Sequence, residues 1–211
     1  RSELPEAVAN GEVPLDSLDR AVRRVLRTKL AAGLFGDYAP GNPGDVCSQE
    51  HRDLALEVAQ KSIVLLKNEG NILPLDRSQL DSIALIGPSA NVAKLDGIGS
   101  SVVEPCYAYT PRQGIENRAP GVTINYAKGC DINSADTSGF PSALEAAKNS
   151  DVVVFVGGLD GTQEGEERDR ASGSVQLPGQ QQALINKLAE VNPNLVVVME
   201  SGGIVALEEC I

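Results

Sequence analysis

Residues 151–158 read DVVVFVGG, and residues 194–203 read NLVVVMESGG. Each segment is a run of consecutive apolar residues that ends in glycine and has the length of a strand. Such runs are typical of strands buried on both faces, as in a parallel sheet. The two segments therefore predict buried strands at residues 152–156 and 195–199.

The sequence on the amino-terminal side of these strands repeats the pattern. Segments rich in apolar residues predict further strands at residues 63–66, 83–86 and 122–126, and helical periodicity predicts helices at residues 139–149 and 179–191. Alternating strands and helices predict an α/β fold: a mostly parallel, doubly wound sheet with helices on both faces. Ligands of such sheets bind beyond the carboxyl ends of the strands.

The first fifty residues have a different character. Residues 14–34 predict an amphipathic helix, which Asp16 or Ser17 would cap and Gly33 would end. Its apolar positions recur at helical spacing: Leu18, Val22, Val25, Leu26 and Leu30. Residues 35–49 are rich in glycine and proline and predict a linker, after which residues 51–61 predict another helix.

Composition and charge exclude several classes of partner. The 211 residues are 42% hydrophobic and 22% charged, and the formal net charge is −11. This charge argues against nucleic acid and anionic membrane surfaces, because both attract basic patches. No apolar run reaches the roughly eighteen residues that predict a membrane span. A neutral ligand suits this composition.

The four cysteines are Cys47, Cys106, Cys130 and Cys210. No CxxC pair occurs, so a zinc site is not expected. A disulfide between Cys106 and Cys130 is our prediction, since each lies in a loop that flanks a predicted strand. Four mostly buried free thiols are the alternative.

The acidic loop, residues 157–170, reads GGLDGTQEGEERDR and follows the strand at 152–156. A carboxyl group on such a loop can reach a cleft and act as a general acid, and nearby arginines can hold a second carboxylate. A solvated acidic loop is the plainer interpretation. The spacing does not match a calcium-binding loop, and no glycine-rich phosphate-binding motif occurs, so we expect neither a metal nor a cofactor.

The whole chain resembles glycoside hydrolase family 3, and its β-xylosidase branch in particular. Residues 18–35 resemble the end of that family's (β/α)8 barrel, and residues 45–75 resemble the entry into its second domain. The acidic loop and residues 177–185 resemble the family pattern G-G-[LI]-D-x-T-x-E-x-E-x-x-D-R followed by P-G-x-Q. The matching residues are Gly157, Gly158, Leu159, Asp160, Thr162, Glu164, Glu166, Asp169, Arg170, Pro178, Gly179 and Gln181.

The resemblance implies a retaining mechanism with a carboxyl group on each of two domains. Glu164 is then the general acid/base, and Glu166 is the runner-up. The remaining loop residues would bind substrate or brace the loop: Asp160, Thr162, Asp169 and Arg170. The nucleophilic aspartate would lie on the barrel, so we expect this chain alone to be inactive.

The resemblance also implies a domain plan. Residues 1–35 would end the barrel domain, residues 36–50 would link the domains, and residues 51–211 would form a truncated α/β sandwich. The expected substrate is a β-linked xylo-oligosaccharide or another β-glycoside, the remainder of the enzyme is the expected partner, and the expected location is extracellular or periplasmic. Alternatives are a β-glucosidase, an α-arabinofuranosidase, a β-N-acetylglucosaminidase, a non-catalytic carbohydrate-binding or scaffold domain, and a flavodoxin-like nucleotide binder.

Overall fold

The computed structural model describes residues 3–36, 46–95, 102–166, 170 and 173–207. These residues fall into two compact units, Arg1–Ile63 and Val64–Ile211. The helices described in the first unit are α1 (Leu4–Ala9), α2 (Leu15–Ala31) and α3 (Gln49–Ser62).

Helix α2 confirms the predicted amphipathic helix, with one difference at its start. Pro14 is the N-cap and makes no side-chain hydrogen bond, so the predicted cap at Asp16 or Ser17 is wrong. Proline supplies a helix-compatible φ without needing a partner for an N–H group. Gly33 follows the helix at φ +69° and donates its N–H to the carbonyl of Leu30, as predicted for a terminating glycine.

The second unit contains the sheet and its helices. Its strands are β1 (Ser82–Ile86), β2 (Thr123–Ala127), β3 (Val152–Gly158) and β4 (Leu195–Glu200). Its helices are α4 (Pro111–Arg118), α5 (Phe140–Lys148) and α6 (Gln181–Val191), besides a 3₁₀ turn at Arg77–Gln79.

Four of the five predicted strands and both predicted sheet helices are confirmed, but residues 63–66 do not form a strand. Ile63 and Val64 are 79% and 73% exposed, and the chain there has no ladder partner in the described ranges. A strand needs a neighbour to satisfy its backbone and pack its side chains, and a local apolar run cannot guarantee one.

The strands are all parallel, in the order β2-β1-β3-β4 within the described part of the unit. Central strand β3 is buried along its whole length, whereas edge strand β4 is only half-buried. The prediction of a mostly parallel sheet is therefore confirmed. The apolar run of β4 does not imply equal burial, because an edge strand has a neighbour on one side only.

Alternate residues of the strands build a core on each face of the sheet. On one face, Phe155 lies among side chains of α5 and α6. On the other, Leu85 and Val154 pack near Ile115 of α4 and the apolar residues that precede β1. Helices therefore cover both faces, as predicted for a doubly wound fold.

Helix α4 was not predicted, although the sequence carries a signal for it. Thr110 accepts a hydrogen bond from the N–H of Gln113, whose side chain accepts one from the N–H of Thr110. Together with Pro111 at the first helical position, this capping box marks a helix start. The helix has few apolar residues, so its periodicity is too weak to reveal it.

Asp151 joins the starts of β1 and β3. Its Oδ2 accepts hydrogen bonds from the N–H groups of Asp81 and Ser82, at 2.9 and 2.8 Å, and from the Ser82 hydroxyl at 3.1 Å. These bonds lower the pKa of the Asp151 carboxyl, and the bond from the Ser82 N–H has the largest effect. They do so because they stabilise its charged form.

Because its pKa is lowered in the folded state, this carboxylate stabilises the fold at pH values above its unfolded pKa of about 3.9. That stabilisation is lost as the pH falls through the folded pKa. We expect Asp151→Asn to lower the free energy of unfolding at neutral pH. The difference from wild type should shrink as pH falls below about 4. Urea unfolding across pH measures this, with Asp19→Asn on exposed α2 as control. A difference independent of pH would contradict it.

The predicted disulfide between Cys106 and Cys130 is wrong. Cys130 is a buried free thiol, whereas Cys106 and Cys47 are each disulfide-bonded. Burial raises the pKa of the Cys130 thiol to about 11, with a smaller contribution from Asp131. Cys210 lies outside the described residues. Sequence position placed both cysteines near strands, but Cys130 belongs to the core between the sheet and α5 and α6.

Candidate active site

The carboxyl ends of the parallel strands lie along one edge of the sheet. Because β1 leads to β2 on one side and β3 leads to β4 on the other, the chain changes direction between β1 and β3. Ligands of open α/β sheets bind in the crevice at such a switch point. The loops after β1 and β3 flank this position.

A cleft of about 900 Å³ with a mixed polar and apolar lining opens at this edge. It lies among the loops that follow β1, β2 and β3, and its size falls in the range of small-molecule sites. Its polar lining includes Ser89, Lys94, Lys128, Asp131, Asp160 and Thr162. Hydrogen-bond donors and acceptors are both present, so the cleft suits a ligand that both donates and accepts hydrogen bonds.

Two lysines of the cleft are held by neighbouring groups. Lys128 forms an ion pair with Asp131, and this hydrogen bond raises the pKa of the Lys128 ammonium group. Lys94 donates to the main-chain carbonyl of Glu200 at 3.2 Å, which joins the loop after β1 to the end of β4. The loops after β1, β2 and β3 thus form the cleft, and Lys94 connects it to the end of β4.

The acidic loop leaves the sheet at Gly158, the last residue of β3. This residue has φ +133°, and a Cβ there would lie 2.1 Å from the Glu200 carbonyl oxygen. Only glycine fits such a close approach. The side chain of Gln181, which is fully buried, accepts from the Gly158 N–H at 2.8 Å and donates to the Gly158 carbonyl at 2.9 Å.

Asp160 and Thr162 form the first turn of the loop. Asp160 Oδ1 accepts from the Thr162 N–H at 2.9 Å and from the Thr162 hydroxyl at 2.6 Å. The Asp160 main-chain carbonyl accepts from the N–H groups of Gln163 and Glu164. Both predicted residues therefore line the cleft and shape the loop at the same time.

Glu164 reaches from the acidic loop to the chain that follows β4. Its carboxylate accepts from the Gly202 N–H at 2.8 and 3.0 Å, one distance for each oxygen. The Gly203 N–H donates to Oε2 at 2.6 Å. Both oxygens of the half-buried carboxylate are therefore occupied by backbone donors.

The other predicted residues have distinct places. Glu166 lies two residues beyond Glu164 and is exposed. Arg170 donates to the carbonyl oxygens of Gln176, at 3.2 Å, and Ile204. Asp169, which the sequence analysis assigned to binding or bracing, lies outside the described residues.

Sequence reasoning missed the roles of Gln181 and of the Gly202-Gly203 pair. A signal exists for Gln181: on α6 it shares helical spacing with Leu184, Ile185 and Leu188, which are core residues. A polar residue on such an apolar stripe indicates a buried hydrogen-bonding role. For the glycine pair no local signal could identify its partner, which is 38 residues away.

Within the described ranges, no group of three or more His, Cys, Asp or Glu side chains is arranged to hold a metal ion. None of the helices in those ranges is both long and apolar enough to cross a membrane.

Comparisons with known proteins agree with this architecture. A β-xylosidase from Formosa agariphila is 38% identical over 211 residues, which cover 94% of this chain and 28% of the relative. A β-xylosidase/α-L-arabinofuranosidase from Medicago sativa is 37% identical over 206 residues, which cover 93% of this chain and 26% of the relative. The chain therefore spans about a quarter of the length of these relatives.

A solved structure is similar along the same extent. It is a family 3 exo-β-xylosidase in complex with a xylobiose aziridine activity-based probe, 37% identical with a TM-score of 0.83, and the match covers 96% of this chain and 26% of that one. Residues 63–210 match the model of the glycosyl hydrolase family 3 C-terminal domain. The chain therefore belongs to glycosyl hydrolase family 3 and carries that family's C-terminal α/β domain.

Proposed function

We propose that this domain supplies the general acid/base carboxyl of a retaining exo-β-glycosidase that releases xylose from xylo-oligosaccharides. The nucleophilic aspartate belongs to a barrel domain elsewhere in the enzyme. The observation that carries the proposal is the acidic loop, which Glu164 anchors at the carboxyl edge of the sheet and which lines the cleft there with Asp160 and Thr162. A pair of carboxyl groups is the chemical requirement of glycoside hydrolysis.

Two glutamates of the loop are candidates for the acid/base. The sequence analysis prefers Glu164, but its carboxylate oxygens already accept hydrogen bonds from Gly202 and Gly203. A general acid must present one of its oxygens to the leaving group of the substrate, whereas both oxygens of Glu164 are held by the backbone after β4. This geometry gives Glu164 a bracing role, and we assign the acid/base role to Glu166, the runner-up of the sequence analysis on the same loop.

The substrate assignment rests on the similar proteins. Relatives at 37–38% identity are named as β-xylosidases, and one of them also as an α-L-arabinofuranosidase. The cleft agrees with a polyhydroxylated neutral ligand, because its lining offers both donors and acceptors. An acidic protein also has no electrostatic preference for an anionic substrate.

We place the enzyme outside the cytoplasm. Cys47 and Cys106 are disulfide-bonded, and structural disulfides form and persist mainly in oxidising compartments. The domain plan of barrel end, linker and α/β sandwich is part of the same proposal.

The test is the stereochemistry and sugar preference of the full-length enzyme. Proton NMR during hydrolysis of an aryl β-xyloside should show β-xylose first, as retention requires. The kcat/KM should be higher for the β-xyloside than for the matched β-glucoside and α-arabinofuranoside. Initial release of α-xylose would overturn the retaining mechanism, and a higher value for another glycoside would reassign the substrate. No hydrolysis of any glycoside would leave the carbohydrate-binding role.

A further inference from the structure

We propose that Glu164 and Arg170 are positioning residues that clamp the acidic loop onto residues 202–204, the turn after β4, and so fix where the Glu166 carboxyl stands. This inference rests on the proposed function, in which Glu166 is the acid/base. Neither residue of the clamp needs to touch the substrate.

The first arm of the clamp is the Glu164 carboxylate. It accepts from two consecutive N–H groups, those of Gly202 and Gly203, at 2.6 to 3.0 Å. Hydrogen bonds to an ionised acceptor are shorter and stronger than those between neutral groups. A Cβ at residue 203 would stand 3.3 Å from Glu164 Oε2, so glycine there lets the carboxylate approach closely.

The second arm is the Arg170 guanidinium. It donates to the carbonyl of Ile204, the next residue of the same turn, and to the carbonyl of Gln176, six residues further along the chain than Arg170. The N–H of Ala206 donates to the Val175 carbonyl at 2.7 Å and extends this attachment. The turn thus offers N–H groups to the Glu164 carboxylate and a carbonyl oxygen to the Arg170 guanidinium. A carboxylate only accepts and a guanidinium only donates, so the two side chains cannot exchange roles.

The clamp limits the position of Glu166. That residue is two positions from one arm and four from the other, and two residues span at most about 7 Å of chain. Retention requires the acid/base and the nucleophile to stand about 5–5.5 Å apart across the sugar. A displacement of about 1 Å can cost about 100-fold in rate, so a fixed loop matters for the chemistry.

The test begins with two substitutions at residue 164 of the full-length enzyme. Glu164→Gln keeps one oxygen that can accept from the turn, whereas Glu164→Ala keeps none. We expect kcat on xylobiose and on an activated aryl β-xyloside to fall together, by about 100-fold in Glu164→Ala and by less in Glu164→Gln. Azide should give no glycosyl azide with either variant, because the acid/base carboxyl is intact.

The second arm is tested by Arg170→Met and by the more conservative Arg170→Lys, which keeps a donor. The double variant Glu164→Ala/Arg170→Met should lose little more activity than the worse single variant, because both arms hold one turn. Glu190→Gln, on the exposed face of α6, is the matched control and should keep wild-type activity. Thermal unfolding of every variant separates a loosened loop from a lost fold. If Glu164→Ala or Arg170→Met unfolds, the activities of Glu164→Gln and Arg170→Lys alone decide whether the clamp exists.

Three outcomes would overturn the clamp. Glu164→Gln could spare the activated substrate and form glycosyl azide, which would make Glu164 the acid/base. Losses that multiply in the double variant would indicate independent effects, and wild-type activity in all variants would indicate no role. Failure of the proposed function looks different, because Glu166→Gln would then leave the leaving-group dependence unchanged whatever happens at residue 164.

Discussion

Glu166→Gln in the full-length enzyme is expected to lower kcat/KM on xylobiose by about 10²- to 10⁴-fold, the usual contribution of a general acid. A poor leaving group needs a proton as its bond breaks, and glutamine cannot supply one. An activated aryl β-xyloside needs no such help, so its kcat/KM should change much less. The variant should therefore become steeply selective for good leaving groups.

The second half of the reaction gives an independent signature. With the base removed, water attacks the glycosyl-enzyme slowly, and kcat on the activated substrate should fall even where kcat/KM does not. Azide needs no base, so it should restore turnover and yield β-xylosyl azide. Steady-state kinetics and mass spectrometry of the product measure both effects.

Glu164→Gln is the matched control, since it makes the same chemical change two residues away. The clamp predicts equal losses on both classes of substrate and no azide product for this control. The opposite assignment, in which Glu164 is the acid/base, would show the leaving-group selectivity at Glu164→Gln instead. Absence of that selectivity in both variants would remove the acid/base from this loop.

Gln181→Leu is expected to destabilise the domain strongly. Gln181 is buried, and its amide satisfies both the N–H and the carbonyl of Gly158. Each buried group left without a partner costs about 1–3 kcal/mol, so the two together lower the free energy of unfolding by roughly 2–6 kcal/mol. Leucine has a similar volume, which limits any contribution from a cavity.

Equilibrium urea unfolding measures this loss, with Gln182→Leu as the neighbouring control. Gln182 is on the same helix but donates to Asn186 at an exposed position, so its replacement should change stability by less than about 0.5 kcal/mol. Equal midpoints for Gln181→Leu and wild type would show that water replaces the lost bonds. They would then contradict the assigned role.

The sequence predicted the element types well wherever the pattern is local. Segments rich in apolar residues identified β1 to β4, and helical spacing identified α5 and α6, because buried faces and stripes need apolar residues at their positions. The same reasoning failed at residues 63–66, where an apolar run is exposed. It also missed α4, whose capping box is its main signal.

The candidate site divides in the same way. The resemblance of the acidic loop to the family pattern made its glutamates the chemical candidates, and the short-range turn of Asp160 and Thr162 lies within reach of a local argument. Position in the motif led the sequence analysis to prefer Glu164, whereas the proposed role of Glu166 depends on the hydrogen bonds of Glu164 to Gly202 and Gly203.

The sequence by itself therefore determined the α/β class, the parallel strands and the loop that carries the carboxyl groups. The tertiary structure alone decided the strand order β2-β1-β3-β4, which brings the loops after β3 and β4 together. That order places Glu164 against Gly202 and Gly203 across 38 and 39 residues of chain. Periodicity records whether a residue is buried, whereas contacts between distant segments depend on how whole elements pack.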